Sequence, residues 1–187
     1  MQMPIISIYG KARSGKSTAS SYLVMKYGLK PLSFGSRLKK YYHEIFGVTG
    51  EGKDREGYQW FGQLMRSRDP DVWVKQVDVS LSSYLQNEYS VVFDDMRQPN
   101  EYKYLKQLGA IMIRIDSPLD IRLERMVHAG DILSDTRVLN HETESYLDDF
   151  EPDYVITNNG DPESLYYQLG NLIREIKMKD QSISWNE

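Results

Sequence analysis

Cysteine is absent from this 187-residue chain. That excludes disulfides, thiolate metal sites and a cysteine nucleophile, and it agrees with a reducing compartment. Histidine is scarce: His43, His128 and His141 are scattered, with no spacing suited to a metal site. Neither a Ser-His-Asp nor a Cys-His arrangement can be built from them. Long apolar runs are missing too, and nothing approaches the roughly 20 residues of a membrane-spanning helix. The N-terminus lacks the charged-then-apolar pattern of a leader, so a cytoplasmic protein with no membrane partner is expected. Positive charge is not in excess. The 23 Lys and Arg against 27 Asp and Glu leave −4, which argues against a chain built to grip nucleic acid. Repeats, low-complexity segments and Pro/Gly/Ser linkers are absent, so 1–187 is expected to be a single domain.

What is present begins at Gly10-Lys-Ala-Arg-Ser-Gly15-Lys16-Ser17, which satisfies G-x-x-x-x-G-K-S/T, the phosphate-binding loop. Its glycines let consecutive backbone N–H groups turn inward around an anion, Lys16 adds a point charge at the β/γ oxygens, and the Ser17 hydroxyl suits Mg²⁺. Arg13, Ser14 and Thr18 belong to the same cradle. Pro4 to Tyr9 reads as a buried parallel strand and Thr18 to Tyr27 as a helix. Strand, loop, helix is the order the motif needs, because the helix N-terminus favours negative charge.

The alternation continues. Strands are expected over Leu29–Phe34, Ser90–Asp94, Ala110–Ile115 and Tyr154–Thr157. Helices are expected over Gly35–Phe46, Tyr58–Arg68, Val72–Leu85, Pro99–Leu108, Pro118–His128 and Pro162–Met178, with loops between, including 47–57 and a loose tail after Lys179. Such a pattern predicts a three-layer α/β/α P-loop kinase fold around a parallel sheet of about five strands, with ligands at the C-terminal strand ends. A polar stretch with few apolar anchors, Ala129 to Asp149, follows a basic helix and reads as part of a mobile lid over about 118–149.

Several side chains stand where chemistry would occur. Asp94 and Asp95 end the central strand, and either would suit Mg²⁺ or its waters. Arg97 suits a bidentate phosphate clamp. Arg122 and Arg125 share a helix face; with Arg137 they are placed to neutralise charge on transferred phosphoryl oxygens. Region 35–88, between the first helix and the central strand, is the expected acceptor pocket and carries Arg37, Arg66 and Arg68. Phe61 is expected in the core, while Trp60 is left between core packing and stacking on a base.

These segments resemble the phage-type deoxynucleoside monophosphate kinases of the P-loop nucleoside monophosphate kinase superfamily. The likeness spans nearly the whole chain. It is carried by the phosphate loop, by Phe61-Gly-Gln-Leu-Met-Arg-Ser-Arg-Asp-Pro-Asp-Val-Trp73, by Phe93-Asp-Asp-Met-Arg-Gln-Pro-Asn-Glu101, and by Leu147-Asp-Asp149 with Asp153-Tyr-Val-Ile-Thr-Asn-Asn-Gly160. The family's strand-end pattern is S-D-x-R-x-x-N-E. Here Asp94 stands for Ser, while Asp95, Arg97, Asn100 and Glu101 match. Ser17 stands where many relatives carry Asp. The resemblance implies phosphoryl transfer from ATP, with Mg²⁺, to a deoxynucleoside monophosphate. It also implies Arg66 and Arg97 on the acceptor phosphate and Asn158 to Gly160 beside the adenine, and it admits a homodimer. Animal-type phosphomevalonate kinases share the second and last segments. Dephospho-coenzyme A kinase, which would need Asp94 or Asp95 as a base, is a further alternative. A nucleotide-dependent switch or ATPase is an alternative of a different class.

Overall fold

The computed structural model describes residues 4–47, 54–130 and 142–179. The apolar runs form one parallel sheet of β1 (Ile5–Tyr9), β2 (Lys30–Leu32), β3 (Val91–Phe93), β4 (Ile111–Asp116) and β5 (Tyr154–Thr157), in the order β2-β3-β1-β4-β5. Ile5 pairs with Val91, Ile6 with Ile111 and Ile113 with Tyr154, so β1 is central. Every residue of β1 and β3 is buried, as parallel strands covered on both faces require.

Helices α1 (Lys16–Tyr27) and α8 (Pro162–Lys179) cover one face, packing Leu23, Leu169 and Ile173 on Ile6, Ile8 and Ile113. The other face carries α4 (Val72–Gln86), α5 (Pro99–Gln107) and α7 (Glu142–Asp149), whose Val77, Leu81, Leu105 and Leu147 meet Tyr9, Phe93 and Met112. Helices α2 (Phe34–Phe46) and α3 (Arg55–Arg68) share a smaller core with α4, made of Leu38, Tyr42, Phe61 and Trp73. Helix α6 (Leu119–His128) follows β4. This is the expected three-layer arrangement. The chain leaves β1 toward β2 on one side and later crosses from β3 to β4 on the other, so the crevice at the C-terminal end of β1 is the topological switch point where ligands gather. Among the described residues no helix is long and apolar enough to cross a membrane.

Two of the boundaries that differ from expectation have a clear local reason. The second strand stops at Leu32, because Phe34 and Gly35 give their N–H groups to the Asp95 carboxylate and open α2 instead. Helix α3 begins at Arg55 rather than Tyr58, since Asp54 accepts from the Gly57 N–H at 2.9 Å as its cap. The remaining expected loop, 48–53, lies outside the described residues, as does the tail from 180 onward.

The larger correction is α7. The stretch to Asp149 was expected to be weakly anchored, yet its end is fixed in the core: Leu147 is 2% and Phe150 5% exposed. Tyr9 donates its hydroxyl to the Phe150 carbonyl at 2.9 Å, and Tyr102 stacks on the Phe150 ring at 4.7 Å. Polar neighbours hide this anchor, because two buried apolar side chains three residues apart make it, with Tyr146 packed beside them. Leu147→Ala should therefore lower unfolding free energy by about 2–5 kcal/mol, measured by urea denaturation. A solvated segment would lose almost nothing.

Candidate active site

The phosphate loop owes its shape to backbone that L side chains avoid. Gly10 has φ +146° and Gly15 φ +103°, and Arg13 also lies at positive φ, 62°. A Cβ on Gly10 would stand 2.3 Å from the Ile115 carbonyl oxygen, and one on Gly15 2.2 Å from the Asn158 amide nitrogen. The loop is thus held against β4 and the β5–α8 turn. Ser14 is 1% exposed, and its hydroxyl has no hydrogen-bond partner among the described residues. A buried orphan hydroxyl inside a glycine-lined turn fits an anion that would complete it. Lys16, in the first turn of α1, donates to the Lys11 carbonyl at 2.9 Å. Thr18 follows it, exposed.

Asn158 joins the loop to the turn after β5. It is 5% exposed, donates its amide to the Ser14 carbonyl at 2.8 Å, and receives Arg125 Nη2 on its oxygen at 3.3 Å. Arg125 also donates to the carbonyls of Arg13, Asn158 and Gly160 at 3.2–3.4 Å. Arg122 reaches the Ala12 carbonyl at 3.4 Å and the Ser117 carbonyl at 3.2 Å. Both expected arginines therefore converge on the loop, and what they touch there is backbone carbonyl. Arg137 lies outside the described residues.

The two strand-end aspartates separate. Asp95 is consumed structurally: Ser33 donates its hydroxyl at 2.6 Å, and the N–H groups of Phe34 and Gly35 donate at 3.0 and 2.9 Å. Both oxygens are engaged at the start of α2, so Asp95 fixes that helix against the end of β3. Asp94 accepts from the Ser17 hydroxyl and faces Lys16 and Lys39. Burial, then the Asp95 charge, holds its carboxyl above the ordinary range. Ser17 and Asp94 are the pair that fits Mg²⁺, an ion that takes few protein ligands beside phosphate oxygens and water. No cluster of three metal-ligating side chains occurs among the described residues. Ser17, Ser33, Ser36 and Asp94 border a recess of about 440 Å³. Gly10, Lys11, Asp116, Arg122 and Asp148 border another of about 450 Å³ on the far side of the loop.

Arg66, on α3, lies 3.8 Å from Glu101 on α5, and the Arg97 N–H donates to the same carboxylate at 2.8 Å. Glu101 in turn feels Asp95. A strip of interacting charges thus runs from Lys16 and Ser17 through Asp94, Asp95 and Glu101 to Arg66. Lys39 was passed over in the sequence because it sits among ordinary helix cations; only its approach to Asp94 marks it. Glu101 was matched in the strand-end pattern but given no role. Arg37 is half-buried in the first turn of α2 and Arg68 exposed at the end of α3. Phe61 is core, as expected. Trp60 is 54% exposed, with its ring edge-on to Phe46 at 5.8 Å and tilted against Phe61 at 6.5 Å, on the rim of that core; no described contact joins it to the strip. Gly15→Ala, which must clear Asn158 at a positive φ, should weaken binding of a fluorescent ATP analogue about tenfold or more through at least 1–3 kcal/mol of strain. Fluorescence titration reads it, and unchanged affinity would show that the turn is not the cradle.

No protein-family model matches the chain. It is 31% identical over 133 residues, 67% of either chain, to an adenylate kinase of Bacteroides fragilis. It is 27% identical to an inferred deoxynucleotide monophosphate kinase of Acanthamoeba polyphaga mimivirus, over 89% of this chain and 94% of that protein. Its fold is that of the thymidylate kinase of Candida albicans, with TM-score 0.58 and 14% identity over 94% of this chain and 93% of that one. With a glycine-shaped phosphate turn at the switch point and a charged strip leading away from it, the chain belongs to the nucleoside monophosphate kinases of the P-loop superfamily.

Proposed function

We propose that the protein transfers the γ-phosphoryl group of ATP to a deoxynucleoside 5′-monophosphate, giving ADP and the diphosphate. The observation that carries this reading is the charged strip, which offers cationic groups at both ends of one track: Lys16 at the loop and Arg66 at the far end, where the Arg97 backbone meets the same Glu101 carboxylate. Two phosphate-bearing substrates need that arrangement, whereas an ATPase needs only the first half. The deoxy preference is supported by the mimivirus relative.

In this reading Gly10 to Thr18 cradle the donor phosphates, and Arg122 and Arg125 brace the cradle from α6, the first helix of the proposed lid. Asn158 and Gly160 shape the edge beside the adenine. Ser17 and Asp94 would hold Mg²⁺, which would neutralise charge on the donor phosphates when bound. Arg66 and Arg97 hold the acceptor phosphate, with Lys39 and Arg37 nearby on α2. An acceptor phosphate oxygen attacks the γ-phosphorus, the bond to the β–γ bridging oxygen breaks, and ADP leaves with that electron pair. The attacking oxygen is already an anion, so no general base is required. Positioning and charge compensation supply the rate.

ADP release measured with ATP-Mg²⁺ against dAMP, dCMP, dGMP, dTMP and the four ribonucleoside monophosphates should show acceptor-dependent turnover fastest with a deoxynucleotide. Acceptor-independent hydrolysis alone would overturn the assignment. Lys16→Ala should lower kcat by about two orders of magnitude or more while leaving the circular dichroism spectrum and thermal midpoint unchanged.

A further inference from the structure

Glu101 is the least exposed carboxylate described, at 3%. It is the third residue of α5 and closes a capping box with Gln98. One oxygen, Oε2, accepts from the Arg97 N–H at 2.8 Å and from the Gln98 N–H at 3.0 Å. The other, Oε1, lies 3.8 Å from Arg66 Nη2. The cap explains only the first oxygen. A glutamine would accept the same two N–H groups without burying a charge, so the cap alone does not call for a carboxylate.

The charge is held at a cost. Burial pushes the Glu101 carboxyl up to about 7; the neighbouring Asp95 charge adds to this, and the two N–H donors and Arg66 oppose it. Because the folded value stands above the ordinary 4.5, Glu101 contributes less to stability as pH rises from 4.5 toward 7. What the charge faces is Arg66, itself half-buried on α3, with burial and Glu101 acting on it in opposite directions. At 3.8 Å the contact is an ion pair and not a hydrogen bond, so it aims the guanidinium without consuming a donor. The planar fork is left to grip a phosphate.

We propose that Glu101 is a positioning residue for the acceptor phosphate, aligning the Arg66 guanidinium and the Arg97 backbone on one buried carboxylate. One carboxylate oxygen thus faces the Arg66 guanidinium on α3 while the other takes the Arg97 N–H just before α5. The inference rests on Arg66 and Arg97 being the acceptor's phosphate ligands.

Steady-state kinetics with ATP-Mg²⁺ and each of dAMP, dCMP, dGMP and dTMP test it, using Glu101→Gln, Arg66→Ala and Arg97→Ala with thermal melts at pH 8. Glu101→Gln keeps the acceptor for the cap and removes the charge. It should raise the acceptor KM about tenfold, the scale of a lost charge-assisted contact, leave the ATP KM within about twofold, and show a thermal midpoint no lower than the parent's. An acceptor KM that is unchanged or falls, while Arg66→Ala raises it, overturns the inference and leaves the acceptor site standing. A Glu101→Gln protein that is unfolded or melts lower at pH 8 shows a carboxylate serving the fold, and overturns it equally. If Arg66→Ala and Arg97→Ala both leave the acceptor KM unchanged, or none of the four nucleotides is used, the acceptor reading itself falls and takes this one with it.

Discussion

The site hangs on one buried amide. Asn158 donates to Ser14, accepts from Arg125, and fills the place where a side chain on Gly15 would stand. A buried amide with both ends satisfied has little freedom to turn, so it sets the distance between the phosphate turn and the connection after β5. Arg125 then spreads the same restraint to the carbonyls of Arg13 and Gly160. These contacts tie the loop to the turn and to α6, although the loop precedes both by more than 100 residues.

Three carboxylates along the strip do different work because their partners differ. Asp94 meets a hydroxyl and two lysines, Asp95 meets a hydroxyl and two backbone N–H groups, and Glu101 meets two N–H groups and an arginine. Burial, with the Asp95 charge adding to it, raises the proton affinity of Asp94 and Glu101, while the cations beside them oppose the rise. Cations stand at the two ends of the row, Lys16 beside Asp94 and Arg66 beside Glu101.

The strands and the phosphate turn were legible because each announces itself locally. Continuous apolar runs mark strands buried on both faces, and the glycine spacing marks a backbone conformation. Asp94 and Asp95 could not be told apart, since what separates them comes from Ser17, Ser33 and Phe34, about 60 to 80 positions away. Helix α7 was hidden for a related reason: its apolar signal is Tyr146 and Leu147 with Phe150 just after it, and the aromatic ring stacked on Phe150 belongs to Tyr102. Lys39 looks like any helix cation until α2 is laid beside β3. Trp60 and Phe61 are adjacent on α3, yet one is solvent-facing and the other core, a distinction fixed by where Leu38 and Trp73 happen to sit.

The contact from the Lys16 ammonium to the Lys11 carbonyl has a thermodynamic consequence. The cation has already exchanged part of its water for a carbonyl in the ligand-free fold, so much of its dehydration is settled when the chain folds. In the proposed function, a phosphate arriving at the loop meets an ammonium that already has one carbonyl partner. What changes is the partner, from a neutral dipole to an anion. Selection at the loop is accordingly a selection by charge, and the uncharged nucleoside, however well its base and sugar are shaped, offers Lys16 nothing better than the carbonyl it already holds.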